Sequence, residues 1–461
     1  MGPNPRFVFT TINEELTPVG GLSAVGAWID HTLLRQRFDQ LKLEGFVRPE
    51  ISHGDVCVSF LGLLCQGKTD YDHIEAFRDD KFFRVSLGLK KVPSSATLRQ
   101  RLDAAALNDD AHRIIQEEIV RLLIKAKPVF SPVTHWGHIP LDIDVSPFDN
   151  SGSHKEGVAC TYKKVDGYAP LLAYLGKEGY AISGQLRPGN THSQKEAPDF
   201  FRQAITAAKK VVGDRPLLVR TDSAHDCLEN LGLFLTHNVD FIVKRNLRTL
   251  APEHWLEMAK ETQAAKEVPR EGKQVWRGRM LSWLACDEKA GWKLATPTTP
   301  GARPVYQVYV VTERTIEAKG QVLLTPQVEA DVWWTSLDLS VHEIEELYHQ
   351  HGTSEQFHSE LKTDLNLERL PSGKFKTNAL ILELGLLAFD ILRLVGQQIA
   401  KSANVPLRKQ AERRRLKTII QNVITVAARL MRHGRRTMLG FRAGDRWYPP
   451  LREAYAAVFA C

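Results

Sequence analysis

Asp142, Asp144 and Asp149 crowd into "LDIDVSPFDNSG" (141–152), directly after an apolar run. Side chains alternate along a strand, so Asp142 and Asp144 share one face while Leu141 and Ile143 share the other. Two carboxylates on one face repel, and a cation or a shared proton settles such a pair. Asp149 lies beyond Pro147 and reads as a turn acid. A second apolar run, "PLLVRTDSAHD" (216–226), delivers Asp222 to its C-terminal end, where ligands gather in α/β sheets. In "SLDLSVHEIEELYHQHGTSEQFHSELKTDLN" (336–366), Ser340 with Glu343 and Thr353 with Gln356 form two capping boxes, each opening a helix. Glu355 then falls in the first turn of the second helix, and Lys362, almost two turns on, shares its face.

Taken singly, Asp222 suits a turn or cap, and the Glu355 helix suits a solvated surface whose dipole favours acids first and a lysine last. Taken together, acids on two strand ends and one helix suit two-metal phosphoryl transfer. There, ions about 4 Å apart serve the attacking and the leaving oxygen. All-oxygen ligands and the lack of His/Cys clusters point to hard cations rather than zinc.

The elements that would position these acids are legible around them. Residues 1–130 carry apolar positions at three- and four-residue steps, as in "GAWIDHTLLRQRFDQL", and predict a helical domain. "DYDHIEAFRDDKFFRVSLG" followed by "VPSSATLRQRLDAAA" admits either a helix-turn-helix or a plain helical bundle. From residue 131, "HIPLDIDVS", "GYAPLLAYLG" and "YAISGQLRPG" read as strands, and helices and strands then alternate to "DFIVKRN". That pattern predicts an α/β mixed sheet. Residues 256–335 read as β-rich, and helices resume at "SVHEIEELYHQ" (340–350) and dominate to the end. "NALILELGLLAFDILRLVGQQIA" (378–400) contains Glu383, Asp390 and Arg393, which suits a buried helix rather than a bilayer span.

Charge is unevenly placed. Residues 401–461 hold 14 Lys/Arg and 3 Asp/Glu, a net of +11, which leaves −4 for the other 400 of the 461 residues in a chain of net charge +7. Cationic clusters among apolar residues, "PLRKQAERRRLK" and "RLMRHGRRTMLGFRAGDRW", point to a folded surface against a polyanion, with nucleic acid as the partner. Six scattered cysteines without a CxxC pair, and no secretory pattern at the start, predict a reducing, cytoplasmic compartment.

On these residues the chain resembles a DDE transposase of a bacterial insertion sequence. The likeness is to the branch whose third acid sits in a Tyr–Arg–Glu–Lys signature: Tyr, two residues, Arg, three residues, Glu, six residues, Lys. Tyr348, His351, Glu355 and Lys362 stand at that spacing, with His351 where the family usually carries Arg. "VRTDSAHD" is similar to the family's second acid strand and "LDIDVS" to its first, which implies Asp144 rather than Asp142, together with Asp222 and Glu355, as catalytic metal ligands. The resemblance implies an RNase H-like core (131–255 and 336–400) interrupted by a β-rich insertion (256–335), flanked by a helical DNA-binding domain (1–130) and a basic helical C-terminal region (401–461). It further implies Mg²⁺ dependence, with Mn²⁺ as a substitute, and a homodimer that synapses transposon-end DNA before joining it to target DNA. Tyr348, His351 and Lys362 would contact DNA phosphates. Trp276, beside Arg277 and Arg279, is a candidate stacking platform for a flipped base, or a β-core tryptophan.

Two rivals stand beside this. "LDIDVS" also fits the strand motif of a haloacid-dehalogenase-like phosphatase, with Asp142 as nucleophile, Asp144 as general acid and Lys244 as the required lysine. A transposase-derived DNA-binding protein with a spent site is the other.

Overall fold

The computed structural model describes residues 9–248, 250–287, 289–317, 319–406 and 413–460. The chain divides into two compact units, one of Met1–Pro128, Thr363–Pro371 and Leu387–Cys461, the other of Val129–Lys362 and Ser372–Leu386.

The second unit is built on one ten-stranded mixed sheet. Its axis is the strand Ile139–Val145, with Leu217–Thr221 parallel on one side and Leu171–Leu175 antiparallel on the other. Tyr180–Gln185 pairs outside Leu171–Leu175, and Asp240–Lys244 runs parallel beyond Leu217–Thr221. These five strands make the α/β core. Their near-continuous apolar runs are buried on both faces, as strands covered by helices must be. The helix Ala197–Val212 supplies part of that cover, burying Phe200, Phe201, Ala204, Ile205 and Ala208 along one stripe.

The β-rich segment does not form a separate sheet. Val322–Thr335 pairs with Asp240–Lys244 through Trp333 on Lys244, Trp334 on Val243 and Thr335 on Ile242, so the insertion strands prolong the core sheet. Beyond it follow Arg303–Ile316, Lys273–Asp287 and Ala265–Arg270. The helix Pro252–Glu261 seals their far part by packing Trp255 and Ala259 against Trp276, Tyr309 and Val332.

In the first unit the helices His53–Leu64, Ser95–Ala105 and Asp109–Ala126 start where Ser52, Ser94 and Asn108 cap them. The segment before Ser95–Ala105 is a short helix, Lys81–Ser86, preceded by a 3₁₀ turn over Tyr71–Phe77, rather than one long helix. Arg101 is buried against His53 and the Ile51 carbonyl, which removes it from any basic surface. The C-terminal region is helical only in part. After Leu416–Ile419 the chain forms a hairpin, Ala428–His433 with Arg436–Phe441, and Leu16–Thr17 pairs along its edge. Only Ala428, Arg429 and Leu430 alternate, burying the two apolar residues, and the six-residue pairing with Arg436–Phe441 sets the strand. Residues 407–412, inside the cationic "PLRKQAERRRLK" cluster, lie outside the described residues.

The apolar helix Phe375–Lys401 is buried nearly all round, with Leu380, Ile381, Leu384, Leu387 and Ile391 at 0% exposure. No helix among the described residues is long and apolar enough to cross a membrane. The five described cysteines, Cys57, Cys65, Cys160, Cys227 and Cys286, are free thiols.

One turn fixes the helix Ser354–Ser359 in the second unit. Gly179 sits at φ +69°, and a Cβ there would lie 2.3 Å from the Phe357 ring. Phe357 is fully buried and also packs against Tyr174, their rings tilted with centroids 5.2 Å apart. Gly179→Ala should therefore cost about 1–3 kcal/mol through overpacking and left-handed strain together. Thermal unfolding of the purified variant should show a melting temperature several degrees lower, and an unchanged melt would contradict this packing.

Candidate active site

Strand register does the positioning. Asp142 faces Arg220 across the parallel pair, and Ile143 faces Thr221. Arg220 donates from Nε to Asp142 Oδ1 at 2.7 Å and from Nη2 to Oδ2 at 2.8 Å, and its Nη1 donates to the Leu347 carbonyl at 2.6 Å. Asp142 and Arg220 are each only 2% exposed. His351 adds its Nδ1, 2.9 Å from Asp142 Oδ1. Two residues further on come Asp144, still on its strand, and Asp222, just past the end of Leu217–Thr221. A buried ion pair thus aligns the two strands so that both carboxylates emerge side by side at their C-terminal ends.

The two acids differ in their surroundings. Asp144 accepts from the Val145 amide at 2.6 Å and lies 3.5 Å from His358 Nε2, an ionic contact too long for a well-formed hydrogen bond. Burial pushes its carboxyl up, but His358 and the His351 charge outweigh that and hold it below the usual range. Asp222 caps a 3₁₀ turn by accepting from the Ala224 amide at 3.1 Å. Burial and the neighbouring Asp144 charge push it up to about 6. Like charges forced together in a partly dry site separate in this way, and a divalent cation relieves the conflict. Asp142 behaves differently. Burial works against its charge, yet Arg220 and His351 more than offset it and keep it ionised.

Asp142 is therefore a structural anion, with both oxygens taken by Arg220. The alternative in which it holds metal in place of Asp144 is corrected, and so is its role as a phosphatase nucleophile. Lys244, the lysine that phosphatase would require, pairs with Asp331 at 2.7 Å.

Glu355 lies in the first turn of the Ser354–Ser359 helix. It is exposed, and its side chain makes no hydrogen bond or ion pair among the described residues. No three His, Cys, Asp or Glu side chains converge as a metal-binding group among the described residues. Asp144 and Asp222 thus come together, and Glu355 is not gathered with them. The oxygen pair fits a divalent cation; a third protein ligand is not in place.

Around this pair the signature residues take different positions. Tyr348 lies near enough for burial and the Asp222 and Asp144 charges to raise its hydroxyl, and it packs at 5.7 Å on both Trp333 and His351. His351 is buried with its Nδ1 given to Asp142, so its predicted phosphate contact is replaced by a structural one. Lys362 brings its ammonium 5.6 Å from the Phe148 ring, in the segment that follows Asp144. The helix does not continue regularly to Lys362, because Glu360–Asp364 forms a π turn that shifts it from the face a regular helix would give it. Ser340 and Glu343 form the predicted capping box. Thr353 does not cap, since the 3₁₀ turn Gln350–Thr353 runs straight into the next helix. Trp276 is 4% exposed inside the Trp255–Tyr309 core, flanked at 5.4 Å by the ammonium groups of Lys260 and Lys266. It is a core residue, not a stacking platform. Arg277 is paired with Glu267 and Glu345, and Arg279 with Asp338.

Four neighbours escaped the sequence reading. Arg220 signalled itself only as a cation inside an apolar strand. His225, fully buried beside Phe201, is pushed down to about 4 by burial and is neutral. His358 stands against Asp144 and Tyr174. Tyr162, 65% exposed, reaches over the strand end to donate to the Val145 carbonyl at 3.2 Å, close enough that burial and the charges of Asp144 and Asp222 raise its hydroxyl.

With this geometry in hand, comparison with known proteins gives a consistent family. The family model described as transposase DDE domain group 1 matches residues 57–459, and the chain belongs to that family. A cryo-EM structure of the piggyBac transposase synaptic complex with hairpin DNA is similar at 12% identity, covering 88% of this chain and 80% of that one with a TM-score of 0.41. No curated protein matches the chain.

Two stability tests separate the carboxylates. Asp142→Asn leaves Arg220 buried without its anion and should cost about 3 kcal/mol or more, read as a lower denaturation midpoint. Asp222 behaves in the opposite sense. Its value rises from 3.8 to about 6 on folding, so the unfolded chain releases the proton first and stability drains away as pH climbs between those values. In chelator at pH about 7.5, Asp222→Asn should gain about 1–2 kcal/mol and flatten that part of the stability profile, the shift being discounted for partial exposure. A destabilised Asp222→Asn protein would show that the two acids do not repel.

Proposed function

We propose that this member of the transposase DDE domain family cuts DNA at the ends of an insertion sequence and joins the freed 3′ ends to target DNA. Support comes above all from one observation: Asp144 and Asp222 emerge adjacent from two parallel strands, with the Asp222 carboxyl pushed up to about 6 by burial and by its neighbour. Such a pair has the donor chemistry for a divalent cation, and DDE transposases use divalent metal ions. Mg²⁺, or Mn²⁺ in its place, would supply charge neutralisation at the scissile phosphate and activation of the attacking oxygen.

The chain's own residues divide the remaining work. Asp144 and Asp222 would hold the ion, and Glu355, which stands apart from them in this structure and makes no hydrogen bond or ion pair among the described residues, would join them as the third acid by swinging toward the pair. Arg220, Asp142 and His351 fix the strands beneath them. Lys362 and Tyr348 steady backbone phosphates on either side of the scissile bond, a task in which His351 takes no part because its Nδ1 is committed to Asp142. The element moves by cut-and-paste chemistry, and two copies of the chain hold its two ends together. A transposase-derived DNA-binding protein that no longer cuts is the second reading, favoured by the outlying Glu355 and by histidine in place of the signature arginine.

The deciding assay uses the full chain with Mg²⁺ or Mn²⁺ and a duplex bearing the terminal inverted repeats that flank the gene. The wild-type protein should nick at the repeat boundary, whereas Asp144→Asn, Asp222→Asn and Glu355→Gln should each lose about 10³-fold or more in rate while still binding the duplex. Cleavage that survives Asp222→Asn would overturn the assignment, and a wild-type chain that binds but never cuts would establish the second reading.

A further inference from the structure

The hairpin Ala428–His433/Arg436–Phe441 in the first unit carries four arginines and no acid, and Arg442 follows it directly. Its turn is two residues long, Gly434 at φ +60° and Arg435, between the cross-strand partners His433 and Arg436. Residues 432–438 are all exposed. Toward its base the hairpin buries Ala428 and Leu430. At the tip that inward face ends in Arg432, opposite Thr437, while Arg436 and His433 project from the other face and Arg435 from the turn. Cations therefore surround the tip on every side.

Several arginines elsewhere in this unit are neutralised by carboxylates. Arg35 is bound to Asp55, Arg37 to Glu117 and Glu118, Arg113 to Asp110 and Glu117, and Arg415 to Asp364. Arg429, at the hairpin base, pairs with Glu14. Arg432, Arg435, Arg436 and Arg442 have no ion pair among the described residues. Three of these four, with His433, stand within a five-residue span, where their mutual repulsion opposes folding and no ion pair among the described residues relieves it. A tip of this kind is stable against a dense row of anions. A two-stranded ribbon has the width to enter a groove of duplex DNA with phosphates on both flanks.

We infer that the tip of the Ala428–Phe441 hairpin enters a groove of duplex DNA, with Arg432, Arg435 and Arg436 on backbone phosphates, and so binds DNA without regard to sequence. This deepens the transposase reading and rests on it for the identity of the polyanion.

The test is fluorescence anisotropy of the full chain on a labelled duplex of arbitrary sequence, in chelator, across a salt series. Replacing Arg432, Arg435 and Arg436 together by Gln should make the slope of log affinity against log salt shallower by about 2–3, since each lost phosphate contact removes about 0.9. Between about 50 and about 200 mM salt, the affinity loss should then be more than 10-fold smaller than for the wild type. The triple Lys variant keeps the charges and should retain the wild-type slope, which separates phosphate binding from damage to the hairpin. A Gln variant with wild-type affinity and slope overturns the proposal, as does a Lys variant as impaired as the Gln one. Failure of the transposase reading would appear elsewhere, as absence of metal-dependent cleavage by the wild type, and leaves the anisotropy result to stand by itself.

Discussion

The buried pair of Asp142 and Arg220 is the constraint from which the rest of the site follows. Two charges withdrawn from water cost several kcal/mol each unless their geometry is good and their remaining hydrogen bonds are made. Here both oxygens of Asp142 are engaged, and the guanidinium reaches on to the Leu347 carbonyl. That contact locks two parallel strands in one register and ties them to the end of the Val341–His349 helix. A slip of one strand by one residue would leave both charges unpaired and put Asp144 and Asp222 on opposite faces. Structural charge is spent one step below the surface so that functional charge can be aligned one step above it.

The same logic accounts for the division of labour among the carboxylates. Asp142 is compensated and silent. Asp144 is partly compensated by His358, while Asp222 makes no side-chain hydrogen bond or ion pair among the described residues, so strain between like charges concentrates on Asp222. A site that is destabilised when empty of counter-charge is one that a cation stabilises. The helix carrying Glu355 and His358 is seated by Phe357 against Gly179 and Tyr174, which makes an ordinary hydrophobic contact part of how the acids are arranged.

Much of this was legible in the chain itself. Period-two alternation put Asp142 and Asp144 on one face, the apolar run before it put Asp222 at a strand end, and Ser340 with Glu343 announced a helix start that forms as predicted. What escaped was long-range. Nothing local says that Arg220 will face Asp142 across 78 positions, because parallel register is set by packing. The π turn at Glu360–Asp364 displaced Lys362, and no residue in "ELKTD" announces it. Trp276 sits among arginines in sequence, but in the sheet it is covered by Trp255 and Tyr309, and its arginine neighbours turn to carboxylates. The C-terminal hairpin was hidden by charge, since Arg429, Arg432 and Arg436 recur at the three- and four-residue steps of a cationic helix.

The most direct measurement is anomalous diffraction from crystals soaked in Mn²⁺. A peak within about 2 Å of carboxylate oxygens of both Asp144 and Asp222, and none on Asp142, is the predicted result. A peak lodged elsewhere, or one on Asp144 that persists unchanged in Asp222→Asn crystals, would contradict the account.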